Sequence, residues 1–337
     1  MKKLLIVNSD AKESSYGGVA PLMRNMHPYL AEAFDVTYLY PKLKHGSWIP
    51  NRVSTFLFFL RKRKVMKQYD FVLSHIPEAS FVLSFMKQPF GHIFHGNENP
   101  MLVSRFKGAM VMSGVFDWMY KHIDEKTAFR YTIGEIFEGR KKIFNPIIRT
   151  ADPIPCEQRK GFVFAGRLEA MKQVDRLITI YSKLPSEIQA QNDFYIAGSG
   201  TVEETLKAKA REMGVEDKVH FVGKVPNEEM QTFDSKCRML LMASTYEGMP
   251  TAIAEAMTVG LPVVSTDVGD IGSVVKNDKN GFLVPAEFRD EDYIKAICDI
   301  LGDYDRFANE ALKTSVIFDA QKVTQEIVED IRQLIEK

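Results

Sequence analysis

Short runs of consecutive apolar residues recur along this chain, separated by longer stretches whose apolar positions return every three or four residues. Lys3–Asn8, Phe34–Tyr40, Phe71–His75, Gly91–His95 and Met110–Ser113 read as buried strands of the first half, with Lys142–Phe144 a last short one. Lys160–Ala165, Asp193–Ala197, Lys218–Val222, Arg238–Ser244 and Pro262–Thr266 repeat the pattern in the second half. The stretches between them, Val19–Ala33, Asn51–Lys67, Gln173–Leu184, Thr201–Met213, Asn227–Ser235, Asp290–Leu301 and Asp305–Lys313, have helical spacing. Apolar strands that do not alternate are covered on both faces. Strands of that kind interleaved with helices predict an α/β fold with parallel, doubly wound sheets. Ala320–Lys337 closes the chain as a helix with Val323, Ile327, Ile331 and Leu334 on one side. Asn280-Gly281 reads as a hairpin-type turn.

A chain of 337 residues is too long for one ordinary core. Asp152-Pro153-Ile154-Pro155 is the clearest linker, because proline blocks helix through the join. The domains expected are therefore residues 1–153 and 154–317, with 318–337 as a terminal helix. Hydrophobic residues at 45% and charged ones at 26% exclude a disordered chain. Three scattered cysteines, Cys156, Cys237 and Cys298, argue for a reducing compartment and supply no metal-ligand spacing. Leu4–Val7 is too short for a signal-peptide core, and no apolar run approaches membrane-spanning length, so a cytoplasmic location is expected.

The rest of the chain is organised around Arg238–Asp270. It reads as strand, loop, helix and strand, a right-handed βαβ unit. Pro250 fits the first helical position, and Gly260 the left-handed end before Pro262. Glu247 lies in the loop after the first strand, and Glu255 on the helix one turn beyond Thr251. The amides of Gly248, Met249, Pro250's neighbour Thr251 and Ala252 face out of the helix start, where an anion can sit. Donors suit a phosphate and carboxylates suit hydroxyls, so the set matches a sugar joined to a nucleotide. Spacing alone leaves open an ordinary loop acid and an ordinary exposed helix acid.

Other candidates fall at strand ends. Gly17-Gly18 precede the first helix, either as a plain βα loop or as backbone able to approach a ligand. No G-x-G-x-x-G is present, so a dinucleotide fingerprint is missing. His75 and His95 both end strands, where open α/β sheets bind ligands. Arg167 and Lys172 flank the next helix start on a loop expected to be exposed. Gly198 and Gly200 suit either a flat base or a tight turn.

Four segments resemble one family. Glu247–Glu255, E-G-M-P-T-A-I-A-E, resembles the E-x7-E signature of retaining GT-B glycosyltransferases of the large family 4 kind. Phe164–Lys172 resembles its phosphate-binding G-R-L-x-x-x-K, while Ile196–Gly200 and Val219–Gly223 resemble its nucleotide-side strand ends. The resemblance spans nearly all of the carboxyl half. It departs at Gln173, where the family often has glycine, and at Gly272-Ser273, where it has Pro-Glu. It implies two Rossmann-like domains facing a central cleft, an acceptor on the amino domain, a donor on the carboxyl domain, and a last helix crossing back. It implies a metal-independent transfer of a hexose-type sugar with no cofactor and a nucleotide-diphosphate sugar as donor, UDP favoured over GDP. Arg167 and Lys172 would neutralise the diphosphate, Glu247 would hold sugar hydroxyls, Glu255 the ribose, and His95 would approach the donor sugar. Gly198, Gly223 and Gly248–Thr251 would line the donor, and Gly17-Gly18 would face the donor phosphates or the acceptor. A nucleotide-sugar epimerase and a non-catalytic nucleotide-sugar binder are the alternatives.

The charge is uneven. Residues 1–150 hold 22 Lys and Arg against 12 Asp and Glu, a net +10, and the remainder balances it at −10. Val53, Phe56, Leu57 and Leu60 share a helical face, with Trp48 before them and Arg61–Lys64 after. Apolar groups beside a basic cluster suit an anionic membrane surface or, equally, a core-facing helix with a solvated end. A glycan or lipid-linked acceptor of the cell envelope fits the first reading. No nucleic-acid partner is indicated.

Overall fold

The computed structural model describes residues 1–8, 19–41, 51–95, 109–133 and 139–336. They form two units: Met1–Pro146 with Ala320–Lys337, and Ile147–Asp319. The division thus falls a few residues before the predicted Asp152–Pro155 linker.

In the first unit the order is β1 (Lys3–Val7), α1 (Val19–Ala33), β2 (Asp35–Leu39), α2 (Asn51–Met66), β3 (Phe71–Ser74), α3 (Pro77–Ser84), β4 (Phe90–His95), α4 (Ala109–Lys126), β5 (Arg130–Ile133) and β6 (Lys141–Lys142). All strands run parallel in the order β2-β1-β3-β4-β5-β6. Leu4, Ile6, Phe71, Leu73 and Ile93 face one core, and Leu5, Val7, Val72 and Phe94 the other. That two-sided burial is why these strands read as unbroken apolar runs.

Met110–Ser113 is not a strand. It opens α4, and the strand role passes to Arg130–Ile133. Three apolar residues and a serine cannot distinguish the two states, whereas Tyr131, Thr132 and Ile133 carry the aromatic and β-branched side chains a pleated sheet favours. The predicted Lys142–Phe144 strand is likewise only Lys141–Lys142.

The second unit contains β7 (Phe162–Ala165), α5 (Val174–Ser182), α6 (Ser186–Gln191), β8 (Phe194–Ala197), α7 (Glu203–Glu212), β9 (Val219–Gly223), α8 (Asn227–Ser235), β10 (Met239–Leu241), α9 (Thr251–Thr258), β11 (Val263–Thr266), β12 (Gly281–Val284), α10 (Asp290–Gly302) and α11 (Tyr304–Thr314). Its strands are parallel in the order β12-β11-β10-β7-β8-β9. Asn280-Gly281 is therefore not a hairpin turn: Gly281 opens β12 beside Val263 with parallel register. A Cβ there would lie 2.1 Å from the Val263 carbonyl oxygen. Pro250 sits at the cap position, one residue before the helix.

The last helix, α12 (Ala320–Ile335), packs on α1 of the first unit. Val323, Ile327, Val328 and Ile331 enter that core. Leu334 stays exposed, so Val328 takes the place expected for it. The Tyr131 hydroxyl donates to Asp330 of α12. Among the described residues no helix is long and apolar enough to cross a membrane.

Candidate active site

In the second sheet β7 comes first in sequence, β8 and β9 extend one way, and β10, β11 and β12 the other. The order in which strands are added therefore reverses between β7 and β10, which still run parallel, and open α/β sheets bind ligands at the carboxyl side of such a switch point. The loops leaving those two strands carry Arg167 and Lys172 on one side, Ser244 and Glu247 on the other.

These loops meet in an ion pair. Lys172 Nζ lies 2.6 Å from Glu247 Oε1, and both side chains are largely buried, at 13% and 10% exposure. Ser244 donates to the same Oε1 at 2.7 Å. The Thr245 amide donates to the Met171 carbonyl at 2.8 Å, tying the loops by their backbones as well. The lysine is thus not on the exposed loop expected for it. Arg167 is: its side chain is 74% exposed and its guanidinium pairs with Glu169 at 2.6 Å. Ser244 and Glu169 were not singled out in the sequence, although Ser244, as a polar residue ending an apolar strand, was visible there.

Glycines set the loop shapes. Gly269 has φ +59°, and a Cβ would fall 2.0 Å from the Glu247 carbonyl oxygen. The Asp270 amide donates to Gly248 at 3.1 Å, so this second glycine loop buttresses the loop carrying Glu247. A Cβ on Gly198 would meet the Gly166 carbonyl oxygen at 1.8 Å, and one on Gly200 the Leu168 carbonyl oxygen at 2.1 Å. Both glycines are therefore required by the backbone around Arg167. Gly223 needs only its φ of +70°, and the space beside Gly248 is open. Gln173, where the resembled family often has glycine, adopts a left-handed φ of 47°.

The electrostatics of α9 are arranged from its far end. Arg149 donates twice to the Thr258 carbonyl, and buried Arg159 donates to Val259 and Gly260, each at 2.9 Å. Cations at the carboxyl end complement the helix dipole and satisfy its last carbonyls. At the opposite end the amides of Gly248, Thr251 and Ala252 bond nothing within the chain among the described residues. They are available to an anion beside Lys172. Glu255 is half-buried on this helix. Burial holds the carboxyl of Asp234, on the packed α8, far above the ordinary carboxylate range, and the charge of nearby Glu255 adds to this.

In the first unit the switch point lies between β1 and β3. His75 follows β3, and its Nδ1 lies 2.9 Å from His95 Nε2 at the end of β4. His75 is buried, and its Nε2 has no partner among the described residues. Burial lowers the pKa of His95 to about 4 and drives His75 well below 6.5, so both rings are neutral near pH 7. The structure joins these two histidines, which sequence could only place at two separate strand ends. The predicted Gly17 and Gly18, and Gly96 after His95, lie outside the described residues.

Residues 151–315 match the family model of glycosyl transferases group 1. The chain is 30% identical over 151 residues to a lipopolysaccharide 1,6-galactosyltransferase of Escherichia coli K12, covering 42% of this chain and 40% of that one. It is 29% identical over 206 residues to an E. coli O-antigen biosynthesis glycosyltransferase, WbnH, covering 59% and 54%. The chain thus spans about half or less of the curated relatives it matches. Over its whole length it superposes on a sucrose-phosphate synthase of Thermosynechococcus elongatus with a TM-score of 0.77 at 16% identity, each chain covered fully. Anabaena HepE, in complex with UDP and glucose, gives 0.70 at 18% identity, with 99% of this chain and all of that one covered. These likenesses place a glycosyl transferases group 1 domain on residues 151–315 of a chain with the GT-B fold.

Proposed function

We propose that this protein is a retaining glycosyltransferase of the family 4 kind. It would move a hexose-type sugar from a nucleotide-diphosphate sugar to a glycan or lipid-linked glycan of the cell envelope. The observation that carries the reading is the Lys172–Glu247 pair beside the open amides of α9, at the switch point of the segment that matches the family model. A cation and a helix start face a diphosphate, and carboxylates face hydroxyls. The names of the E. coli relatives support an envelope acceptor, and the UDP and glucose held by Anabaena HepE support a UDP-sugar.

In the proposed reaction the bond from the anomeric carbon to the phosphate oxygen breaks, and its electron pair goes to the diphosphate. Lys172, Arg167 and the α9 amides stabilise that growing charge. The acceptor oxygen attacks from the same face and its proton passes to the leaving phosphate. Glu247 holds sugar hydroxyls and Glu255 the ribose, and His95 is assigned to the donor sugar. Because these groups already offset the charge, the reaction needs no metal and no cofactor. The enzyme works in the cytoplasm, at the inner face of the membrane.

Incubation with a panel of UDP- and GDP-sugars tests this, since a ligand of the folded state raises its Tm. The stabilising donor is then supplied with acceptor glycans in excess chelator, and the anomeric configuration of the product is read by NMR. An altered sugar formed from donor alone would identify an epimerase instead. Stabilisation with no turnover on any acceptor would favour the non-catalytic binder. An inverted product, or activity that returns only with magnesium or manganese, would overturn the mechanism.

A further inference from the structure

The face of α2 turned away from the core is apolar and basic together. Thr55, Phe59 and Met66 are buried, while Val53 and Leu60, on the opposite side, are exposed. Arg61, Lys62, Arg63 and Lys64 are all exposed, and none makes an ion pair among the described residues. The helix contains no Asp or Glu. Phe56 and Leu57 between them are half-buried, but a helix that only covered a core would not leave Val53 and Leu60 in water beside four cations without an acidic partner among the described residues.

The apolar surface continues onto α3 and α4. Phe56 of α2 meets Phe81 of α3 at 6.2 Å between ring centroids, and Phe81 meets Trp118 of α4 at 5.4 Å. Phe85 packs on Phe81 at 5.1 Å and on His122 at 4.7 Å. The outer members of this strip face solvent: Phe85 is 66% and Trp118 56% exposed. α4 carries Asp117, Asp124 and Glu125 against Lys121 and Lys126. Attraction for an anionic surface therefore comes from α2, and apolar anchorage from the α3–α4 aromatics.

We propose that Val53, Leu60, Phe85 and Trp118, with Arg61–Lys64, form a docking surface for a bilayer of anionic phospholipid. Amphipathic surfaces with Trp, Phe and Leu beside Lys and Arg settle at the headgroup boundary, where the cations meet lipid charge. The proposal gives the membrane partner of the proposed function a defined surface, but its evidence is independent of the donor site.

The test uses the full chain and two kinds of vesicle, phosphatidylcholine alone and phosphatidylcholine with roughly one-third phosphatidylglycerol, at low ionic strength and in about 0.5 M salt. The wild type should pellet with the anionic vesicles at low salt and be released by high salt. Replacing Arg61, Lys62, Arg63 and Lys64 by Ser should cut the bound fraction at least tenfold on charge grounds. Phe85→Ser with Trp118→Ser should do the same while leaving the basic cluster in place. The chain has two tryptophans, so in a Trp48→Phe variant Trp118 alone reports, and its emission should shift to the blue on anionic vesicles. Wild type in the supernatant at low salt, pelleting unchanged in both variants, or unshifted Trp118 emission would each overturn the proposal. So would sedimentation velocity showing a dimer that the Phe85 and Trp118 changes dissolve, because a second copy would then occupy the strip. UDP-induced thermal stabilisation, followed in every variant, should not change. Its absence from the wild type would count against the proposed function and leave the vesicle result standing.

Discussion

Lys172 and Glu247 bind each other, 2.6 Å apart, across the switch point between β7 and β10. The sequence motifs assign one to a phosphate and the other to sugar hydroxyls, yet each also holds the other in place. An ammonium retains two further N–H donors, and the carboxylate retains Oε2. The pair can therefore stay closed while a donor adds to both ends. Side-chain entropy already lost on folding does not have to be lost again on binding.

Lys172→Ala should lower turnover by roughly ten- to a thousandfold, the range for lost transition-state charge stabilisation. It should also destabilise the second unit, on the order of 3 kcal/mol, because a mostly buried carboxylate loses its cation. The double change Lys172→Met with Glu247→Gln should regain stability but not activity. Arg167→Ala, at an exposed position, should lower turnover with little effect on folding. Denaturant titrations beside initial rates separate the effects, and full activity in both single variants would remove these cations from the site.

Glu255→Gln should weaken binding of the free nucleotide while Glu247→Gln should mainly alter use of the donor sugar. Isothermal titration with UDP and with UDP-glucose measures both. Unchanged UDP affinity in Glu255→Gln would end its ribose role.

Gln173→Gly should stabilise the protein slightly. A left-handed conformation costs a non-glycine residue about 1–2 kcal/mol, against roughly 0.5–1 kcal/mol of extra chain entropy lost by glycine. The Gln173 side-chain amide oxygen is also buried without a partner among the described residues. A net gain of up to about 1 kcal/mol is expected in thermal or denaturant unfolding. A clear loss would show that the side chain supports the Lys172 loop.

The first unit should weaken in mild acid. The pKa of His95 falls from an ordinary 6.5 to about 4 on folding. The unfolded chain therefore binds the proton first, and stability present above pH 6.5 is lost as pH falls toward 4. A tenfold difference in proton affinity is worth about 1.4 kcal/mol, so His95 alone accounts for on the order of 3 kcal/mol. His75 is shifted the same way by burial and by its neighbours His95 and His92, and His92 by burial, His95 and Arg140. Unfolding free energy measured between pH 4 and 7 should fall less steeply in His95→Gln than in the wild type. Parallel curves would contradict this account of the pair.

The sequence by itself determined the parallel α/β class, because strands buried on both faces need unbroken apolar runs, and such runs between helices are legible one segment at a time. It also determined where candidate chemistry sits along the chain: Arg167, Lys172, Glu247 and Glu255 follow strands, and loops after strands face the ligand side of a parallel sheet. Local pattern failed where two states share a composition. Met110–Ser113 is helix and Asn280-Gly281 opens a parallel strand, because neighbouring strands rather than the segment's own propensity decided the outcome. Only the tertiary structure decided partnerships. Lys172 and Glu247 are 75 residues apart and His75 and His95 20, and their pairing depends on strand order, which the sequence does not state. Exposure was settled there too: of the predicted stripe Val53, Phe56, Leu57 and Leu60, the packing of α2 by Thr55, Phe59 and Met66 leaves Val53 and Leu60 exposed, whereas Phe56 and Leu57 are half-buried and Phe56 packs against the core.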